Sequence, residues 1–194
     1  YLFYMIPAAE VQDYQKRGVE SLKNALTAID PALKDSLKGL ASWEQVALMP
    51  CYRVTAQNWV MNGVVLMGDA VHAMNPHMAQ GRNQAMEDAM ALAPVIEACL
   101  KRADFSREAL LHYEHVRRPA TRTLQKMGDE LTWLWNTGNP LLALLRDRIL
   151  KNIGQNPRLG RKTLLTISGL APQPFNLLDR LIALGMFPEL SKKT

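Results

Sequence analysis

Apolar positions recur along most of this chain at helical spacing, interrupted by a few short extended runs. Tyr1 to Ile6 reads as a strand that Pro7 ends. Glu10 to Ile29 follows as a helix, with Val11, Val19, Leu22, Leu26 and Ile29 at threes and fours and one wide gap at Tyr14 and Gly18. Asp30-Pro31 opens a short helix with Asp30 as N-cap, which runs to about Lys38 and stops at Gly39. Trp43 to Met49 returns to extended character, closed by Pro50, and Tyr52 to Trp59 is mixed. Asn62-Gly63, between Val60-Met61 and Val64-Val65, signals a hairpin; it also fits a tight turn into a buried strand, because Val64 to Met67 is continuously apolar. Helices then dominate. Ala79 to Arg102 places Ala85, Ala89, Leu92, Ile96 and Leu100 on one face, and Pro94 is expected to kink or split it. A second helix starts at Asp104 or Ser106 and continues past Pro119 to about Trp135. Asn136 to Pro140 breaks the pattern. Leu141 to Ile153, Leu159 to Leu170 and Phe175 to Leu184 are shorter helices, separated by Gly154 to Pro157 and by Pro172 and Pro174.

Composition narrows the class. Hydrophobic residues make up 48% and charged residues 21% of 194, which is ordinary for a globular chain and argues against large-scale disorder. No run reaches the roughly 20 apolar residues that span a bilayer, and no basic-then-apolar signal segment is present. Cys51 and Cys99 form no CxxC pair, which suits a reducing compartment and a cytoplasmic location. The chain opens on Tyr1 and an apolar run, and reads as a piece of a longer protein cut inside a strand.

The net charge of +5 lies in the tail. Residues 1–139 hold 14 Lys/Arg and 15 Asp/Glu, and residues 140–194 hold nine against three. Only Phe175 and Phe187 accompany those charges, so a solvated surface fits better than nucleic-acid binding. Membrane-surface contact through Leu141 to Ile153, with Arg146, Arg148 and Lys151, is the less favoured reading beside a helix packed on its own protein.

The chemistry concentrates in Val64 to Leu92, in the order apolar run, Gly68-Asp69 turn, Asn75-Pro76 loop, Gln80-Gly81-Arg82-Asn83, helix. A carboxylate just past a strand accepts hydrogen bonds from sugar or ribityl hydroxyls; taken alone it is an ordinary turn residue. A glycine at a helix start lets a ligand approach free N–H groups that favour negative charge; taken alone it is an ordinary helix start. Asp69, His72 and His77 do not match zinc spacings, and His72 reads as a hydrogen-bonded structural residue. GxSxG, P-loop and HExxH motifs are absent.

Taken together, Trp59, Gly63, Val65, Gly68-Asp69-Ala70, His72, Pro76, Ala79-Gln80-Gly81, Asn83 and Asp88-Ala89 closely resemble, in type and spacing, the second flavin motif of single-component FAD-dependent monooxygenases of the p-hydroxybenzoate hydroxylase type. The match covers about thirty contiguous residues. The wording from Pro76-His77 through Asp88-Ala89 is most similar to the salicylate hydroxylase branch. Tyr113, Arg117-Arg118 and the NPLLALLRD stretch look more like ubiquinone-pathway hydroxylases.

The resemblance implies a fold of α/β class, α+β and helix-dominated in this stretch. It would be the C-terminal part of a two-domain FAD fold without its N-terminal Rossmann βαβ unit, since GxGxxG is absent here. Residues 1–56 would end the substrate-binding domain with strands and two helices. Residues 57–105 would close the FAD-binding domain, and residues 106–194 would form a C-terminal helical region. Gly68 and Asp69 would carry the ribityl contact. Pro76 would lie near the reacting edge of the flavin. Gln80, Gly81, Arg82 and Asn83 would set N–H groups against its pyrimidine end. Ala79 departs from the glycine most common there. NAD(P)H would be co-substrate, O2 the oxidant, and the substrate an aromatic or quinone-like small molecule. The flavin carries the chemistry, so no protein nucleophile is expected, and the piece alone is expected to be inactive. The alternatives are a flavin-dependent reductase of the same superfamily and a helical interaction module without a cofactor.

Overall fold

The computed structural model describes residues 2–168, 170 and 173–187. Tyr1, Pro172 and the last seven residues of the basic tail lie outside them. The chain divides into two units, Tyr1–Pro50 and Cys51–Thr194.

The first unit is helical. A 3-10 turn at Ala8–Glu10 runs into α1 (Val11–Lys16), followed by α2 (Val19–Ile29) and α3 (Leu33–Ser36). The single helix expected over Glu10 to Ile29 is two, because Gly18 adopts φ 78° between them. That left-handed backbone favours glycine and cannot continue a helix. Leu22 and Leu26 are the buried side chains of α2. The helix expected from Asp30 to Lys38 shrinks to α3. Asp30 does not cap it; its Oδ1 accepts from the Ala32 N–H at 2.9 Å, closing a turn before the helix begins.

Neither strand expected in this unit forms among the described residues. Leu2 to Met5 stays exposed, Phe3 most of all at 79%; an apolar extended segment becomes a strand only when a neighbour supplies ladder hydrogen bonds. Trp43–Gln45 is a 3-10 turn instead of a strand. The Gln45 side chain holds it by accepting from the N–H groups of Ala41 and Ser42.

The second unit contains the hairpin. β1 (Val60–Met61) and β2 (Val64–Val65) pair antiparallel, Val60 opposite Val65 and Met61 opposite Val64. Gly63 turns the chain at φ 71°, as the Asn-Gly signal predicts. The buried-strand reading of Val64 to Met67 is corrected: Val64, Leu66 and Met67 are exposed, because a two-stranded hairpin covers only one face of so short a run.

After the hairpin come α4 (Asp69–His72), a 3-10 turn (Pro76–Met78), α5 (Gly81–Arg102), α6 (Arg107–Trp135), α7 (Pro140–Gln155), α8 (Pro157–Ile167) and α9 (Leu177–Ala183). Side-chain caps set most of these starts. The side chains of Ser106, Asn139, Asn156 and Asn176 each accept a backbone N–H of the first turn, and Pro140 and Pro157 stand at the first helical position. Pro94 and Pro119 sit inside continuous helices, so Pro94 does not split α5.

The main core joins β1, α4, α5 and α6 through Trp59, Val60, Val71, Val95, Cys99, Leu110 and Tyr113. The buried stripe of α5 is only in part the one expected from its apolar residues: Leu92 and Ile96 pack against this core. Leu100 is exposed, whereas Gln84, Asp88, Val95 and Cys99 are buried. Two polar residues hold the inner face because α6 supplies partners for them, described below. A smaller core of Leu159, Ile182 and Ala183 ties α7, α8 and α9. Beside it the buried Asp179 accepts from Lys162 at 2.5 Å and Arg158 at 3.1 Å.

Across the described residues the chain is helix-dominated with one small sheet. No helix among them is long and apolar enough to cross a membrane.

Candidate functional site

The site is built where the hairpin ends. Gly68 turns the chain with φ 60° and ψ −140°, a conformation open to glycine and strained for other residues. A Cβ there would also stand 3.3 Å from that of Ala85. Gly68→Ala is therefore expected to cost about 1–3 kcal/mol, readable as a lowered thermal midpoint; an unchanged midpoint would show that the turn relaxes freely.

The Gly68 N–H donates to Asp88 Oδ2 at 2.9 Å, and the Gly68 carbonyl accepts from Val71 and His72, which starts α4. Asp88 is the hub. Fully buried on α5, it meets His72 Nε2 at 2.5 Å and accepts from Arg117 Nε of α6 at 2.8 Å. Arg117 also bonds Glu87 at 2.6 Å and Gln84 Oε1 at 2.7 Å. Burial pushes the Asp88 carboxyl up, but the bonds from His72, Arg117 and the Gly68 N–H outweigh it and hold the group below its ordinary value of 3.8. Tyr113, buried beside this hub, is pushed well above the usual phenol range, first by burial and then by the Asp88 charge.

This network fixes the Gly68 turn onto two long helices. His72 thus takes the structural role expected for it. Asp88 is in the sequence pattern that carries the resemblance, and Arg117 stands out in the Arg117-Arg118 pair, but nothing in the sequence links the two across 29 residues. Gln125 of α6 completes the frame by donating to the carbonyls of Val54 and Ala73.

The loop that follows is equally pinned. Asn75 Oδ1 accepts from the His77 N–H, and its Nδ2 donates to Asp129 at 3.1 Å. Asn75 packs on Gly128, where a Cβ would meet it at 3.0 Å. Pro76 opens the 3-10 turn and is exposed. His77 bonds Thr132 and lies against the Trp135 ring. Ala79 adopts φ 52°, ψ 31°, so the tight left-handed turn that favours glycine is kept with alanine in place.

That turn delivers the start of α5. Gln80 is buried, and its amide donates to the carbonyls of Met78 and Ile167. With its side chain so engaged, it gives α5 no side-chain cap, and no acid occupies the first turn. The N–H groups of Gly81, Arg82 and Asn83 precede the first bond of the ladder, from the Gln84 N–H to the Gln80 carbonyl at 2.9 Å, so the helix leaves them free.

Asp69 faces this start. Its Oδ1 lies 4.0 Å from the position a Gly81 Cβ would take. Asp69 is exposed, and its carboxylate makes no hydrogen bond or ion pair with the described residues. Asp69, Gly81, Arg82 and Asn83 thus come together on one rim. Gln80 lies beneath it as a support. Pro76 lies on the exposed turn before it.

Gly81 is the informative glycine. Its backbone is in the ordinary helical region and nothing crowds its missing side chain. Neither conformation nor packing within the described chain demands glycine there, which leaves the backbone open to close approach.

The rim can hold an anion against three N–H groups and a hydroxyl-bearing chain against Asp69. Among the described residues, no group of three or more His, Cys, Asp or Glu side chains is arranged to hold a metal ion.

A family model described as an FAD binding domain matches residues 3–127. A 6-methylpretetramide 4-monooxygenase of Streptomyces rimosus is 33% identical over 121 residues, 62% of this chain and 29% of that protein. Salicylate hydroxylase of Pseudomonas putida is 36% identical over 108 residues, covering 56% and 22%. Kynurenine 3-monooxygenase of Stenotrophomonas maltophilia (strain K279a) is 40% identical over 91 residues, covering 46% and 19%. The chain matches less than a third of the length of each of these relatives.

Proposed function

The chain belongs to the FAD-binding domain family, and on that premise we propose that residues 64–92 form the flavin-facing corner of an FAD-dependent monooxygenase. The whole protein would hydroxylate an aromatic or quinone-like small molecule with O2 and NAD(P)H. The observation that carries this reading is the α5 start, where three free N–H groups and an unexplained glycine face an unpartnered carboxylate.

The residues fit the group. Asp69 would accept from ribityl hydroxyls. Gly81, Arg82 and Asn83 would direct N–H groups at the pyrimidine end of the ring, where negative charge is stabilised by the helix start. Arg82 is exposed and without a carboxylate partner among the described residues, so its charge adds to the same field. The buried Asp88–Arg117 pair holds the Gly68 turn so that Asp69 meets the helix start at a fixed distance. Pro76 gives the loop an apolar surface toward the substrate side. Bound FAD would supply the redox and oxygen chemistry, and the chain supplies binding, orientation and electrostatics. In this reading residues 57–105 close the FAD-binding domain, residues 1–56 end the substrate-binding domain, and residues 106–194 are the helices that support the corner.

The full-length protein is expected to consume O2 and oxidise NAD(P)H in step with formation of a hydroxylated aromatic product. Reduction of a substrate double bond without O2 consumption would instead make it a reductase. Monooxygenase names among the relatives favour the first outcome.

A further inference from the structure

A cavity of about 200 Å³ lies among α7, α9 and the junction of α7 with α8, lined by Arg148, Asn152, Gln155, Asn156, Ile182, Gly185 and Phe187. We propose that it binds a small oxyanion, a carboxylate or a phosphate. It shares no residue with the flavin corner, and the proposal does not rest on the flavin reading.

Three observations carry it. First, Asn156 is 1% exposed, yet its Nδ2 has no hydrogen-bond partner among the described residues. Its Oδ1 already accepts from the Leu159 N–H, so the free amide group must be the donor. A buried donor without an acceptor costs about 1–3 kcal/mol, and a bound oxyanion or an ordered water held by it removes that cost. Second, Arg148 makes no ion pair or hydrogen bond with the described residues, whereas its neighbour Arg146 is paired with Asp147. Third, among the described residues no acid lines the cavity. Across residues 140–187 there are seven Lys/Arg and two Asp, and Asp147 and Asp179 are both already engaged by cations.

Gly185 seats the arginine. At φ 81°, a Cβ there would stand 2.8 Å from Arg148 Nη2 and 3.0 Å from Asn152 Nδ2. The guanidinium therefore packs against the glycine, in the lining of the cavity. Asn152 is turned away to the Ala183 carbonyl at 2.8 Å. The end of α7 and the start of α8 meet here and offset each other's dipoles, so selection for an anion comes from Arg148 and Asn156. Phe187 offers an apolar wall, which suits a ring-bearing carboxylate better than phosphate.

The test is calorimetric titration of the full chain with sodium benzoate and, separately, with inorganic phosphate, in chloride buffer. Saturable binding is expected, at least ~10-fold weaker in Arg148→Leu, with part of it retained in Arg148→Lys. Tighter benzoate than phosphate assigns the pocket to ring carboxylates, and the reverse assigns it to phosphates. Circular dichroism and FAD affinity of Arg148→Leu should match the parent, which separates this result from the fate of the flavin reading. Absence of binding by both anions, or equal binding by Arg148→Leu, would overturn the proposal.

Discussion

Asp88→Ala is expected to lower the stability of the second unit by about 3–5 kcal/mol, because it removes the buried carboxylate that Arg117 Nε, His72 and the Gly68 N–H share. Arg117 is 6% exposed, and Asp88 has no exposure at all. Removing the carboxylate leaves Arg117 only Glu87 and Gln84 as partners and takes the acceptor from the Gly68 N–H. A domain has only about 5–15 kcal/mol in hand, so the variant should melt far below the parent. Asp88→Leu combined with Arg117→Leu should recover part of the loss, since an apolar pair leaves no charge unpaired. Equal losses in the single and double variants would show that the ion pair itself matters little.

The same carboxyl gives a pH dependence with a definite sign. Its pKa is held below 3.8 in the folded chain. A depressed folded pKa contributes stability that is fully present above the unfolded value and is lost as pH falls through the folded one. Acid unfolding monitored by helicity should therefore shift to higher pH in Asp88→Asn relative to the parent.

Asp69→Ala should act oppositely, leaving stability alone and weakening FAD binding. The carboxylate is exposed and bonds nothing in the described chain, so its removal breaks no structural contact. A hydrogen bond from a ligand hydroxyl to a carboxylate is worth about 1.5–3 kcal/mol, a loss of roughly 10- to 100-fold in affinity. Asp69→Asn keeps one acceptor and should fall between. A variant that melts early but binds FAD normally would place Asp69 among the turn residues.

These two residues show what the sequence made legible. Asp69 and the Gln80 to Asn83 run were visible because their types and spacing form a local pattern, and local chain geometry brings them to one rim. Asp88 was visible as part of that pattern, but its purpose was not: its partner sits on the next helix at a separation that no period links. For the same reason the inner face of α5 was legible only in part. Apolar spacing chose Leu92 and Ile96, which pack on the core, but also Ala89 and Leu100, which are exposed, whereas tertiary pairing buried Gln84 and Asp88. The cap at Ser106 and the Asn62-Gly63 hairpin were legible because each depends on neighbours within a few residues. The strands expected at Tyr1 to Ile6 and Trp43 to Met49 were not, because a strand depends on a partner elsewhere.

The central claim is that the α5 start receives FAD, and Gly81 tests it most directly. A Cβ at this position meets no bad contact and no strained backbone within the described chain, so the fold should tolerate a small branched side chain there. The side chain would fill the space the ligand needs. FAD titration of the full-length protein, followed by flavin fluorescence, should show tight binding by the parent and loss of at least ~100-fold in Gly81→Val, as expected for a backbone that a ligand must approach closely, with helicity intact. Equal FAD affinity in the two proteins would contradict the account.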